Sequence, residues 1–337
     1  MSDFLTGFKN FIKINFLPPH KMNWGYPVFI MSTGLLISVL LKLGIERVLP
    51  FTPTSLAFCS LMVPFMALLA LIVPSISLSS NNTDMTLNGI AGTFTGVGPL
   101  IMAFFSGVPL SLLYSSLHNL SAYLWLRMGN NMVFPAFMCY NQDPSLIAKI
   151  LEFVTQNVIP SLGICLFFTG IMWSLFKDKN KYAGMIIIII LFAAYSLNVI
   201  DLPGTVVTGI WILLLRKKTD NIFAPFLALV AMKITEICFA SILSQVDITT
   251  LQTYSDIPVT FFYSSIPAIF VAMILFSFFK VSLDDFERIY YSDLLGRESE
   301  TSDENVERRT QPVIKGINLA LIISVVNLVV VWILSVK

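Results

Sequence analysis

The chain has 337 residues, 56% of them hydrophobic and 12% charged, and a net charge of +1. Its mean hydropathy is +0.80. So small a charged share excludes a soluble domain of this size, and so small a net charge excludes bulk electrostatic attraction to nucleic acid.

The expected fold is all-α: a polytopic transmembrane bundle of eight to nine spans. Residues 1–25 form a cytoplasmic or interfacial lead segment, where Phe4, Phe8, Phe11 and Ile12 alternate with Lys9 and Lys13 in the manner of a surface-lying helix. No small-residue cleavage site follows the first long apolar run, so a signal peptide is not expected. Apolar runs long enough to cross a bilayer occupy 26–46, 53–77, 98–124, 152–175, 183–200, 203–216, 222–244, 258–280 and 316–336. The run at 203–216 is short and must extend, tilt or shelter among its neighbours. All are too long and continuous for barrel strands.

Residues 26–280 therefore form the membrane bundle, 281–315 a cytoplasmic polar linker and 316–337 a C-terminal span. The first half of the linker, with Leu283, Phe286, Ile289, Tyr290 and Leu294, has the pattern of an interfacial helix. Its second half, RESETSDENVERR, is mixed in charge and poor in apolar residues, as a disordered connection is.

Lys and Arg set the expected orientation. With the N-terminus in the cytoplasm, 15 of them (Arg216, Lys217 and Lys218 included) fall in cytoplasmic loops, 5 fall on the other side, and Lys233 lies within a span. That bias predicts a multi-pass protein of the cell membrane, N-terminus in and C-terminus out.

The four cysteines, Cys59, Cys139, Cys165 and Cys238, lie in or near apolar runs without metal-ligand spacing. His20 and His118 are too far apart in the chain to suggest a shared metal site. No metal and no cofactor is expected, and no common hydrolase or nucleotide-binding motif is present. YLWLRMGNNMVFPAF around Arg127 loosely echoes WILLLRKKTDNIFAPF around Arg216, but Arg–Asn–Pro at a helix boundary is ordinary turn chemistry.

Ionisable residues at membrane depth are costly and are candidate sites by default. Lys233 and Glu236 lie three residues apart on one helix face, where they can neutralise each other. Ser196 and Asn198 complete the candidate polar site. Asp201, in the turn DLPG, is expected to cap the helix that Pro203 opens. His118 and Asn119 are expected to be hydrogen-bonded interface residues.

The stretch from about Pro160 to Lys233 resembles the CPBP family, the CAAX-prenyl-protease and bacteriocin-processing (Abi-like) intramembrane proteases, with a CPBP-like core at about 152–244. PSLGICLFFTG, through Pro160, Phe168 and Gly170, is similar to the family's proline, glutamate pair and Phe–Arg–Gly. LFAAYSLNVIDLPGTVVTG resembles the helix that ends in Phe-x-x-x-His and the glycine-bearing helix after it, here with Gly209. LLLRKKTDNIFAPFLALVAMK, through Lys218, Thr219, Asn221 and Pro225, resembles the final Arg-Thr-Gly-Ser and Pro-x-x-x-His element.

The catalytic positions depart from that pattern. The glutamate pair falls on Ile164 and Cys165, the arginine on Thr169, the two histidines on Ser196 and Leu229, and the final Asn or Asp on Lys233. In the family a glutamate is thought to activate water, helped by the histidines and by a metal in some accounts. Ile164 and Leu229 can neither accept a proton nor hold a water. The resemblance thus implies a pseudo-protease that binds a membrane protein, a partner helix, a peptide, or a prenyl or other lipid ligand among the membrane lipids. Two alternatives stand beside it. One is an active endopeptidase with relocated residues, using Glu236 or Cys165. The other is a secondary transporter or transporter subunit, with Lys233 and Glu236 as coupling groups.

Overall fold

The computed structural model describes residues 24–48, 56–80, 90–92, 96–129, 145–176, 181–238, 265–281, 284 and 319–335. The expected surface helix at the N-terminus and nearly all of the 281–315 linker lie outside them, as do the side chains of Cys59 and Cys139. The architecture is an all-α membrane bundle. Among the described residues, four helical stretches are long and apolar enough to cross a bilayer, Gly25–Ile45, Leu61–Ser79, Val97–Arg127 and Leu146–Phe176, and there are shorter apolar helices as well.

In chain order, α1 is Gly25–Val48. Helix α2 runs from Leu56–Ala67 through a π-helical stretch, Leu68–Ile72, into Val73–Ser80. Helices α3 (Val97–Phe105) and α4 (Gly107–Arg127) meet at Ser106. Helix α5 spans Leu146–Phe176 and holds two π stretches, Val154–Val158 and Cys165–Met172. Then come α6 (Lys181–Tyr195), α7 (Leu202–Thr219), α8 (Phe223–Cys238), α9 (Ser265–Val281) and α10 (Leu319–Ser335).

Prolines explain most of the irregularities. The π stretches Leu68–Ile72 and Val154–Val158 lie just ahead of Pro74 and Pro160. A proline lacks the N–H for the usual bond and crowds the carbonyl four residues back, which wider turns relieve. Pro109 sits in the first turn of α4, so the expected single run at 98–124 breaks at Ser106. There the Ser106 hydroxyl donates to the Ala103 carbonyl and accepts from Trp211 Nε1 at 2.9 Å, tying the break to α7.

Glycines set the closest approaches. A Cβ on Gly34 would lie 2.6 Å from the Leu69 carbonyl, and one on Gly107 would lie 2.6 Å from both the Ala228 carbonyl and the Met232 nitrogen. Thus α1 packs on the π stretch of α2, and α4 packs on α8, nearly backbone to backbone, the small-residue mode of membrane helices. The largest apolar core gathers Met31 and Leu35 of α1, Leu71 of α2, Phe167, Phe168 and Met172 of α5, Phe192 and Tyr195 of α6, and Leu213 of α7. Helix α10 joins through Trp332 Nε1, which donates to the Ala194 carbonyl at 2.8 Å, and Asn327, which donates to Thr33 at 3.3 Å.

Two expectations are corrected. Arg216, counted among the loop cations, is fully buried. Its Nε donates to the Thr169 carbonyl at 2.9 Å and its Nη2 to the Ile90 carbonyl at 3.1 Å, while Nη1 lies 3.3 Å from Asp220. The carbonyls that draw it inward belong to segments far off in the chain. Arg127, its counterpart in the loose repeat, is exposed and lies beside Tyr123, so the two arginines share no environment. Asp201 occupies the cap position of α7, but its side chain caps nothing there.

Candidate functional site

The positions that the resemblance marks come from α5, α6 and α8. Cys165 opens the second π stretch of α5 and is fully buried; Leu229 of α8 belongs to the same core cluster, and Ile164 packs against it from its rim. Around them stand the rings of Phe167, Phe168, Phe192 and Tyr195, with Phe168 in edge-on contact with the other three. Thr169 is fully buried and gives its hydroxyl to the Cys165 carbonyl at 2.7 Å. Ser196 gives its own to the Ala193 carbonyl at 2.8 Å. Both hydroxyls are thereby spent on the backbone.

The chemistry open to this set is narrow. Ile164 and Leu229 have no donor atom for a metal or a water, and the Thr169 and Ser196 hydroxyls bond main-chain carbonyls with no side-chain base among the described residues, so the set does not fit a metal. Cys165 is a free thiol surrounded by hydrocarbon. Among the described residues no three His, Cys, Asp or Glu side chains converge as metal ligands would. The Tyr195 hydroxyl is buried in this core with no partner among the described residues.

The polar residues gather elsewhere, on the seam between α4, α7 and α8. Lys233 Nζ donates to Glu236 Oε2 at 2.8 Å and lies 5.3 Å from the centre of the Tyr114 ring. The Tyr114 hydroxyl faces the Asp201 carboxylate and the Thr205 hydroxyl. Asp201 Oδ1 lies 2.5 Å from His118 Nδ1, and Asp201 Oδ2 accepts from Asn198 Nδ2 at 2.5 Å. Asn198 also accepts from the Ile200 N–H at 3.1 Å, closing a turn whose first residue, Leu197, is left-handed at φ 51°. A leucine holds that conformation only where its surroundings impose it.

Of the four residues expected to form a polar site, Lys233, Glu236 and Asn198 lie along this seam, the last through Asp201. Ser196 makes its bond to the backbone instead. His118 and Asp201, expected at an interface and at a cap, are its central members, together with Tyr114, on which the sequence raised no expectation. Only pairing across 83 residues reveals His118 with Asp201.

A third feature is an apolar groove of about 470 Å³ between α6, α7 and α10, lined by Ile186, Ile190, Ala193, Leu202, Val206 and Trp332 among others.

Comparison with known proteins bears on the stretch that carries the first of these sites. Residues 147–235 match the family model described as Type II CAAX prenyl endopeptidase Rce1-like. No curated protein and no solved structure matches the chain. The match begins at the start of α5 and ends within α8, so it takes in the helices that hold Ile164, Cys165, Thr169, Ser196, Leu229 and Lys233. Residues 147–235 are thus an Rce1-like domain of the CPBP intramembrane-protease-like family, set within a helical membrane protein.

Proposed function

We propose that this protein has relinquished peptide hydrolysis and acts by binding a lipid-like hydrocarbon chain, free or attached to a peptide, within the bilayer. It does so as a multi-pass protein of the cell membrane, with its N-terminus in the cytoplasm.

The observation that carries this reading is the burial of Cys165 and Leu229 in one hydrocarbon cluster with Ile164 at its edge. Hydrolysis in a membrane needs a general base, a water beside it and a polar lining that tolerates charge. An aliphatic and aromatic core offers none of these, and placing a lone charge there costs several kcal/mol. The groove between α6, α7 and α10 supports the binding half of the reading. Its size is that of ligand pockets generally, about 300–1,000 Å³, and its walls are hydrocarbon. It adjoins the Rce1-like helices α6 and α7, so a scaffold related to prenyl-peptide proteases would keep a place for an apolar chain.

The test uses the full chain, purified and returned to phospholipid vesicles. Prenylated and unprenylated peptides of one sequence are offered, one set carrying a photoreactive prenyl group. The expected outcome is no cleavage, with light-dependent attachment to α6, α7 or α10 that Val206→Trp abolishes. Cleavage that disappears in Glu236→Gln or Cys165→Ala would overturn the loss of hydrolysis. Attachment unaffected by Val206→Trp would overturn the groove.

A further inference from the structure

The seam between α4, α7 and α8 brings together five titratable side chains, and none of them is accounted for by a hydrocarbon-binding role. They are Tyr114 and His118 on α4, Asp201 at the entry to α7, and Lys233 and Glu236 on α8. The packing that holds them is tight. Gly204 admits the Tyr114 ring so closely that a Cβ there would lie 2.7 Å from Tyr114 Cδ2, and Gly107 brings α4 against α8 one and two turns before Ser111 and Tyr114.

The two carboxylates are served unequally. Asp201 has His118 on one oxygen and Asn198 on the other, and the Tyr114 hydroxyl faces it as well. Each of its oxygens thus has a partner. Glu236 has Lys233 on Oε2 alone, while its Oε1 is buried and has no hydrogen-bond partner among the described residues. Ser111, fully buried on the same face of α4 as Tyr114 and His118, also has a hydroxyl with no partner among them. A sealed carboxylate oxygen with no donor is an unfilled position, and two carboxylates in unlike settings divide the protonated and ionised roles between them. Tyr114 stands between the two halves, its ring toward Lys233 and its hydroxyl toward Asp201.

We propose that this seam is a membrane-embedded proton-binding site, with Glu236 Oε1 as the atom that takes the proton and Tyr114 as the link through which the Asp201–His118 pair senses it. The proton comes from water and returns to it. On uptake an O–H bond forms at Glu236, the ion pair with Lys233 loses its negative partner, and the ammonium is left to the Tyr114 ring and the field of Asp201. No other bond is made or broken. Ionisable groups paired among buried helices are the usual means by which membrane proteins carry protons. This site is independent of the hydrocarbon-binding reading and survives its failure.

The experiment is infrared difference spectroscopy on the full chain in phosphatidylcholine vesicles, titrated with acid and base in water and in heavy water. The expected result is a protonated-carboxyl component that grows on acidification and shifts in heavy water. It is lost in Glu236→Gln and kept in Glu152→Gln. Lys233→Met moves its midpoint, because the cation beside the carboxylate is gone. Tyr114→Phe, which keeps the ring and removes the hydroxyl, moves the midpoint without removing the band. Thermal unfolding of each variant confirms that it is folded. A carboxyl difference spectrum that Glu236→Gln leaves unchanged in folded protein overturns the site. A midpoint unmoved by both Lys233→Met and Tyr114→Phe overturns the coupling.

Discussion

Arg216 donates from Nε to the main-chain carbonyl of Thr169 across 2.9 Å. Thr169 stands where the resemblance places an arginine on α5, so a guanidinium reaches the same backbone from α7. It also holds the Ile90 carbonyl, and beside this the Ile222 N–H donates to the Ala91 carbonyl at 3.0 Å and Gly92 pairs with Asn221. One buried side chain thereby fastens the 90–92 segment, the middle of α5 and the end of α7.

Arg216→Met is expected to cost roughly 1–3 kcal/mol for each of the two buried carbonyls, of Thr169 and Ile90, that lose their donor. Arg216→Lys should recover little of it, since an ammonium on a flexible stem cannot serve two fixed carbonyls as a planar fork does. Thermal unfolding of detergent-solubilised protein measures both. Wild-type stability in Arg216→Met would show that the fastening is idle.

Gly92→Ala and Gly96→Ala form a matched pair. Both glycines have positive φ, 81° and 84°. A Cβ at position 92 would lie 1.7 Å from the Asp220 carbonyl oxygen and 2.4 Å from Arg216 Nη1, whereas at position 96 nothing lies within 4 Å. Gly96→Ala should cost only the backbone penalty of a region that is essentially glycine's alone (φ 84°, ψ 171°), roughly 1–3 kcal/mol. Gly92→Ala should sharply lower the yield of folded protein as well. Equal melting temperatures for the two would contradict the close approach.

A second pair tests the helix contacts. Gly107→Ala drives a methyl into the backbone of α8, while Gly44 on α1 has open space around its missing Cβ. Gly44→Ala should be neutral or stabilising by up to about 1 kcal/mol, the intrinsic gain in a helix. Gly107→Ala should destabilise by more than that, and it should also disturb the Lys233–Tyr114 contact two turns further along α4. The melting temperatures of the two variants decide the matter.

Returning the family residue types to the core should not return activity. Cys165→Glu and Leu229→His each place an ionisable group among the rings of Phe167, Phe168 and Tyr195, and each is expected to destabilise by at least about 2–3 kcal/mol. The double variant should remain inactive on prenylated peptide. Peptide cleavage by that variant would show that the core can open to water.

Much of the fold was legible because bilayer spans announce themselves as long apolar runs. The runs at 26–46, 183–200, 203–216 and 316–336 correspond to α1, α6, α7 and α10 within a few residues. The Lys233–Glu236 pair was legible too, being local and three residues apart. What was not legible depends on distance. Asp201 in DLPG has every local mark of a cap, yet His118, on a helix far back in the chain, takes its carboxylate. Arg216 ends a span beside two lysines and has the sequence of a loop cation, yet carbonyls from α5 and Ile90 bury it. Tyr114 gave no signal at all, since an aromatic in an apolar run is ordinary until its hydroxyl is seen against an acid.

The two π stretches of α5 have an effect on how its residues can be counted. Each holds residues beyond what an α-helix would carry over the same turns, and each residue of an α-helix rotates the face by about 100°. Positions before Val154 and after Met172 therefore fall out of phase with a regular helical wheel drawn through both. A relative with one residue fewer in either stretch could present the same core face by tightening to a plain α-helix. A gap in an alignment at those points would then mark a change in winding, with no element lost.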